Sequence, residues 1–302
     1  MALSYTGKHE ARPDIQMAQA TGSLSAVTET RQVPRASKIA PDSRIRLLEA
    51  SRRFTVRGQE FSAIEGFDLT VRQGEFVALV GPSGCGKSTV LNMIAGIVEP
   101  SSGTVLYDGV PLNGLNRNVG YMTQKDTLLP WRNVADNVGI ALELKCRKVS
   151  AAERARRVAE IVERVGLKGF EKAFPGQLSG GMRKRVALAR TLVYEPETLL
   201  MDEPFGALDA QLRLLMLDLL QKLTRAQGST VIFVTHDLGE AITLADRVVV
   251  FSARPGRIKA SRAVELERPR DVFKLRFSKY FAGLHEELWE QLKDEVSKGT
   301  DA

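Results

Sequence analysis

The stretch Phe76-Val-Ala-Leu-Val-Gly81-Pro-Ser-Gly-Cys-Gly-Lys-Ser88-Thr-Val-Leu-Asn-Met-Ile-Ala95 governs how the rest of the chain is read. FVALV is a short apolar run bounded by glycines, which reads as a strand. Lys87 to Ala95 reads as a helix. Residues 81–88 between them fit the pattern G-x-x-x-x-G-K-S/T. Glycines 81, 84 and 86 let the backbone wrap closely round a phosphate with its N–H groups pointing inward, and the helix N-terminus adds the positive end of a dipole. Lys87 is positioned to neutralise β- and γ-phosphate oxygens, and the Ser88 hydroxyl to ligate Mg²⁺. Strand, loop and helix in that order separate this pattern from a chance glycine-rich turn. Pro82, Ser83, Cys85 and Thr89 complete the expected nucleotide-binding loop, and modification of the Cys85 thiol is expected to obstruct nucleotide.

Further along, Thr198-Leu-Leu-Met-Asp202-Glu203-Pro204 is an apolar strand ending in two acids. A strand tip beside a phosphate loop is where an Mg²⁺-linked aspartate is required, a role that falls to Asp202. Glu203 then orients or deprotonates the attacking water. His236 ends a further strand, TVIFVTH, near the same sheet edge and is placed for a γ-phosphate contact. His9 and His285 have no such setting.

Outward from these motifs the chain alternates. IRLLEA, FDLTV and TVLYDG read as strands, and TLLMDE, a helix over 210–226, TVIFVTH, a helix from Leu238 and RVVVF follow in turn. Such alternation predicts a mostly parallel sheet with helices on its faces. The middle third differs: Ser150 and Glu153 form a capping-box pattern ahead of Val158, Ile161, Val162 and Val165, which fall on one helical face. Another helix is expected after Gly180 through Tyr194. The helical middle, about residues 125–190, reads as an insertion into the α/β core. Residues 1–43, rich in Ala, Ser, Thr, Gln and Pro, read as a disordered tail, 44–270 as the catalytic domain, and 271–302 as a terminal helical segment.

Composition narrows the class. The 302 residues are 43% hydrophobic and 26% charged, an ordinary globular balance. A net charge of +7 is compatible with nucleic acid, anionic lipid or a solvated surface. No Lys/Arg block with interleaved aromatics favours nucleic acid, and no nucleic-acid partner is expected. The two cysteines, Cys85 and Cys146, form neither a disulfide framework nor a metal-ligand spacing. The first residues lack the apolar core of a secretory signal, and no apolar run approaches the roughly 18 residues that span a bilayer. Action at a membrane is therefore expected to run through a partner.

Leu178-Ser-Gly-Gly-Met182, followed by Arg183-Lys-Arg185, resembles the signature sequence of the ABC family. The phosphate loop, Gln124, the Asp202–Glu203 strand, Ala207-Leu-Asp209 and His236 complete the family's set in order, and the resemblance covers about residues 45–270. It implies a P-loop NTPase core of ABC type with an inserted helical subdomain and a small antiparallel β region. It also implies ATP hydrolysis with Mg²⁺, separate transmembrane permease subunits, an extracytoplasmic solute-binding protein acting indirectly, and a second copy of the chain. Position by position, Gln124 resembles the sensor linking metal and water to the transporter interface. Ser179, Gly180 and Gly181 resemble the segment that meets the opposite subunit's γ-phosphate, and Asp209 the residue communicating across the dimer. Glu203 resembles the general base and His236 the γ-phosphate switch. An aromatic near the first strand stacks on adenine in the family, and Phe54 is the candidate with Phe61 its rival. Met182 and Lys184 depart from the glutamines frequent at those positions. LSGGMRKRVALAR, LLMDEPFGALDA, LLPWRNVADNV and RPGRI with RPR resemble the nitrate, sulfonate and taurine importers, whose motor lies on the cytoplasmic face of the inner membrane. An ABC ATPase of another transport system is the alternative. Trp131 reads either as part of the surface receiving the membrane subunit or as a core residue.

Overall fold

The computed structural model describes residues 42–144 and 149–300. Nearly all of the expected tail, and Cys146, lie outside the described residues. Strands β1 (Ser43–Val56) and β2 (Gln59–Arg72) pair antiparallel, and β3 (Phe76–Val80) leads through the phosphate loop into α1 (Lys87–Ile94). β4 (Ser102–Tyr107) and β5 (Val110–Pro111) return to β1, giving a four-stranded antiparallel sheet in the order β2-β1-β4-β5. After β6 (Val119–Met122) come the helices α2 (Val134–Glu143), α3 (Ala151–Arg164) and α4 (Gly180–Leu192). Alternation then follows through β7 (Thr198–Asp202), α5 (Ala210–Gln227), β8 (Thr230–Thr235), α6 (Leu238–Leu244) and β9 (Arg247–Phe251). β10 (Ile258–Ala263) folds back on β9, and α7 (Lys279–Thr300) closes the described chain. The second sheet runs β10-β9-β3-β8-β7-β6, and its five strands from β9 to β6 are parallel.

β3 shows why its sequence is a continuous apolar run. Phe76, Ala78 and Val80 face one hydrophobic cluster, shared with the helices of the middle segment. Val77 and Leu79 face a second, shared with the antiparallel sheet and α1. A strand covered on both faces has no polar side to declare. In α3, Val158, Ile161, Val162 and Val165 are all buried, so the sequence period does mark the inward face.

Helices α2 to α6 each begin on a side-chain cap. Asn133, Ser150, Ser179, Asp209 and Asp237 accept hydrogen bonds from backbone N–H groups of the first turn. The Ser150 hydroxyl bonds to the Glu153 N–H at 3.2 Å, while the Glu153 carboxylate turns to Arg156 and Arg157 instead of closing the box. α1 starts differently: Gly86 precedes it in the left-handed region, φ 104°, with no side-chain cap. Its first-turn N–H groups are thereby left for an anion.

The fold differs from the sequence reading in two strands that it does not assign and in the start of the terminal helix. β6 and β10 carry no strong strand signal, being short and partly exposed, yet both join the main sheet. The terminal helix begins at Lys279 rather than Asp271, because Leu275–Phe277 forms a single 3-10 turn.

Candidate nucleotide site

Register in the parallel sheet gathers the functional residues at one edge. Val80 of β3 pairs with Thr235 of β8, and Asp202 of β7 with Val234. The residues just past each strand, Gly81, His236 and Glu203, therefore emerge side by side at the carboxyl ends, where open α/β sheets bind ligands. Met122 of β6 pairs with Met201, which delivers Gln124 to the same edge two residues later. A cleft of about 620 Å³ opens there, lined by Ser83, Gly84, Gly86, Lys87, Ser88, Thr89, Gln124, Asp202 and Glu203. Phe54, Thr55, Val56 and Phe61 of the β1–β2 hairpin, with Ala63 and Arg254, complete the lining.

Within the loop, Lys87 is almost fully buried and its Nζ donates to the carbonyls of Gly81 and Pro82, both at 2.8 Å. These bonds hold the ammonium over the loop, where phosphate oxygens would compete for it. Gly86 has no room for a side chain: a Cβ there would strike Ile64 and the Ala63 carbonyl. Cys85 does not line the cleft. Its thiol is buried in the core and lies 3.7 Å from Lys87 Nζ. Burial pushes this thiol up in pKa, outweighing the nearby ammonium, so the side chain is poorly disposed to react.

The acidic pair divides its partners. Asp202 accepts a hydrogen bond from Ser88, and burial raises its carboxyl above the usual aspartate range, with the Glu203 charge pushing the same way. Glu203 sits between Gln124 Nε2 at 3.4 Å and His236 Nδ1 at 3.2 Å, both on its Oε2. Its backbone lies in the left-handed region, φ 43°, a strained position for a non-glycine residue of the kind found at active sites. The strain is held by its own N–H, which donates to the Val234 carbonyl at 3.0 Å. Ser88, Asp202 and Gln124 offer only oxygen donors, the chemistry of a hard cation that keeps several waters and takes its remaining ligands from a substrate phosphate. The donor set fits Mg²⁺ on those terms.

Phe54 and Phe61 face each other across the β1–β2 hairpin, their centroids 5.8 Å apart. Both line the cleft, so the two candidates form one aromatic wall. Arg52 lies over the Phe54 ring and Arg254 over the Phe61 ring. Arg254 was not singled out from the sequence as a site residue; the RPGRI stretch that contains it was the available signal.

Gly81, Pro82, Cys85 and His236 border this cleft without lining it, and the signature residues and Asp209 lie apart from it. Ser179 and Gly180 are exposed at the start of α4, and Asp209 is exposed at the start of α5. Gly181 is buried where a Cβ would strike Leu212 of α5, which brings the two helix starts together. Lys184, buried on α4, donates to the Gln124 carbonyl at 2.5 Å and pairs with Asp126 at 2.9 Å. Arg190, also on α4, binds the carbonyls of Asp126 and Thr127. The signature helix thus grips the segment that carries Gln124. Trp131 is 71% exposed, which excludes its reading as a core residue.

A phosphate loop at the edge of a parallel sheet, facing two acids, a glutamine and a histidine, defines a P-loop ATPase with an inserted helical subdomain and a small antiparallel sheet. The ABC transporter family model matches residues 64–206. An uncharacterised ABC transporter ATP-binding protein of Methanocaldococcus jannaschii is 46% identical over 245 residues, 81% of this chain and 90% of its own length. An aliphatic sulfonates import ATP-binding protein of Bacillus subtilis is 42% identical, covering 72% of this chain and 84% of its own. Among solved structures, a dimeric ATP-binding cassette in a post-hydrolysis state bound to ADP and Pi superposes with a TM-score of 0.66 at 31% identity, covering 74% of this chain and all of that one. The chain belongs to the ABC transporter ATP-binding family and is an ATPase.

Proposed function

We propose that this chain is the ATP-hydrolysing subunit of an importer for a small sulfonate, with taurine and nitrate as related cargoes. The observation that carries the cargo class is similarity to aliphatic sulfonates import ATP-binding proteins, at 42–43% identity over most of both chains. The chemistry is read from the cleft. Lys87 and the loop N–H groups bind the phosphates of ATP, Ser88 and Asp202 with Gln124 would hold Mg²⁺, and Glu203 takes the proton of the attacking water. Mg²⁺, when bound, would neutralise charge on the β- and γ-phosphate oxygens. Gln124 and His236 hold the Glu203 carboxylate from two sides, and His236 is exposed enough to meet a γ-phosphate. Phe54 is the stacking partner assigned to adenine.

Two copies close on two nucleotides, each site completed by Ser179, Gly180 and Gly181 of the other, with Asp209 at the seam. The exposed N-terminus of α4 supports this reading, because an uncovered helix start attracts an anion. Permease subunits anchor the pair at the cytoplasmic face of the membrane, and an extracytoplasmic binding protein delivers the solute. No helix among the described residues is long and apolar enough to cross a bilayer. Exposed Trp131, seven residues beyond Gln124, marks the surface assigned to the permease.

The test is growth of a strain lacking this gene, complemented with wild type or Lys87→Ala. The medium would supply taurine or an alkanesulfonate as sole sulfur, or nitrate as sole nitrogen. Loss of growth on a sulfonate, restored by wild type alone, is the expected result. Normal growth of the deletion strain on every source, with no second importer in the genome, overturns the cargo assignment.

A further inference from the structure

The β9–β10 connection is pressed against the phosphate loop from the side opposite the acids. Gly256 lies against the Cys85 carbonyl so closely that a Cβ would collide with it. Its N–H donates to Ala63 and its carbonyl accepts from Glu65, which ties the connection to β2 as well. Arg254 projects from this connection. Its Nε and Nη2 donate to the Gly84 carbonyl at 3.2 and 2.9 Å, and its guanidinium carbon lies 5.2 Å from the centre of the Phe61 ring. The neighbouring Ala253 N–H is held by Glu295 of α7 at 2.8 Å.

Two cations line the described cleft, and they hold different carbonyls of the loop: Lys87 those of Gly81 and Pro82, Arg254 that of Gly84. Lys87 is buried, and its charge acts on Asp202. Arg254 is exposed, at the junction between the aromatic wall and the loop. In a nucleotide whose base meets the aromatic wall and whose terminal phosphates meet the loop, the ribose and the α-phosphate span that junction, and of the two only the α-phosphate carries a charge for a guanidinium to meet. A guanidinium presents several N–H donors in one plane and matches phosphate oxygens in pairs. Its hold on Gly84 and Phe61 also sets its direction before ligand arrives, which lowers the ordering cost of binding.

We propose that Arg254 is a nucleotide-binding residue that contacts the α-phosphate of the bound nucleotide. The inference rests on reading the cleft as the nucleotide site, and its test separates the two. Equilibrium dissociation constants for ADP and GDP would be measured on the full-length protein as wild type, Arg254→Ala, Arg254→Lys and Lys87→Ala, at two salt concentrations. Melting of each protein without nucleotide would be recorded alongside.

Because ADP and GDP share the α-phosphate, Arg254→Ala is expected to weaken both by about tenfold, the loss of one charge-assisted contact. Arg254→Lys, which keeps the charge and loses the fork, should recover part of that loss. The salt dependence of binding should be shallower in Arg254→Ala than in wild type, a change that loss of a mere brace on Gly84 would not produce. Unchanged affinities in Arg254→Ala overturn the proposal. A loss confined to ADP also overturns it, since the contact would then be with the base. A lowered melting temperature with an unaltered salt dependence reassigns Arg254 as a support for the loop. If wild type and Lys87→Ala alike fail to bind ADP, the nucleotide reading itself falls and this assignment falls with it.

Discussion

Glu203 is the residue on which most of the chemistry converges. Its carboxylate is held by Gln124 and His236, and its backbone occupies a left-handed conformation that costs on the order of 1–3 kcal/mol. A carboxylate placed to take a proton contributes roughly 10²–10⁴-fold to a hydrolysis rate. Glu203→Gln, which keeps the shape, should therefore lower phosphate release by at least about 10²-fold while ATP still binds. Normal turnover in that variant would remove Glu203 from the role of general base. Glu240 behaves differently. It is buried, accepts from Thr235 at 2.6 Å, and burial raises its carboxyl above the usual glutamate range. A carboxyl raised in the fold stabilises the native state below its unfolded pKa, and that contribution is lost as pH rises through the folded value. Glu240→Gln retains the acceptor for Thr235 without the ionisation. Between pH 4.5 and 8 the melting temperature of wild type should fall relative to that of Glu240→Gln, and parallel curves would count against this account.

At the scale of elements, α4 does two things at once. Its N-terminus presents Ser179 and Gly180 to solvent, and its next turns carry Lys184 and Arg190 into the backbone of residues 124–127. Lys184 stands where the family often has glutamine, and the fold gives the lysine a reason: its ammonium reaches both the Gln124 carbonyl and Asp126. Lys184→Met leaves that carbonyl without its ammonium and Asp126 with only the longer contact to Arg183 at 3.5 Å. The expected cost is about 1–3 kcal/mol, read by denaturant unfolding. ATPase activity should fall with it, because Gln124 loses the fixed backbone from which its side chain meets Glu203. Lys184→Gln, able to keep one hydrogen bond to the carbonyl, should lie between. Equal stability of wild type and Lys184→Met would show that water replaces the ammonium there.

Across the whole molecule, the cleft and the signature segment are separate surfaces of one chain. Ser179, Gly180, Gly181 and Asp209 do not line the pocket that holds Lys87 and Glu203. If each site is completed by a second copy, the ATPase rate per subunit should rise with protein concentration and level off as pairs form. Glu203→Gln should accumulate as a dimer with ATP and remain monomeric with ADP, a difference visible by size-exclusion chromatography with light scattering. A rate per subunit independent of concentration, in a protein that stays monomeric, would mean one chain holds a complete site.

Much of this protein was determined by sequence alone, wherever function depends on contiguous residues. The phosphate loop is a local device of strand, glycines and helix start, so its eight-residue pattern places Lys87 and Ser88 directly. The acids of residues 202 and 203 and the buried face of α3 are legible for the same reason, through strand ends and helical period. Register, by contrast, is a tertiary property. Only the pairing of β3, β6, β7 and β8 brings Gln124 and His236 onto one oxygen of Glu203. Arg254 meets Gly84 across 170 positions, and Lys184 meets Gln124 across 60. Neither residue has a local pattern that announces its partner, because what defines each is a backbone carbonyl, which every residue carries. Such contacts exist only once the sheet has closed and the helices have packed upon it.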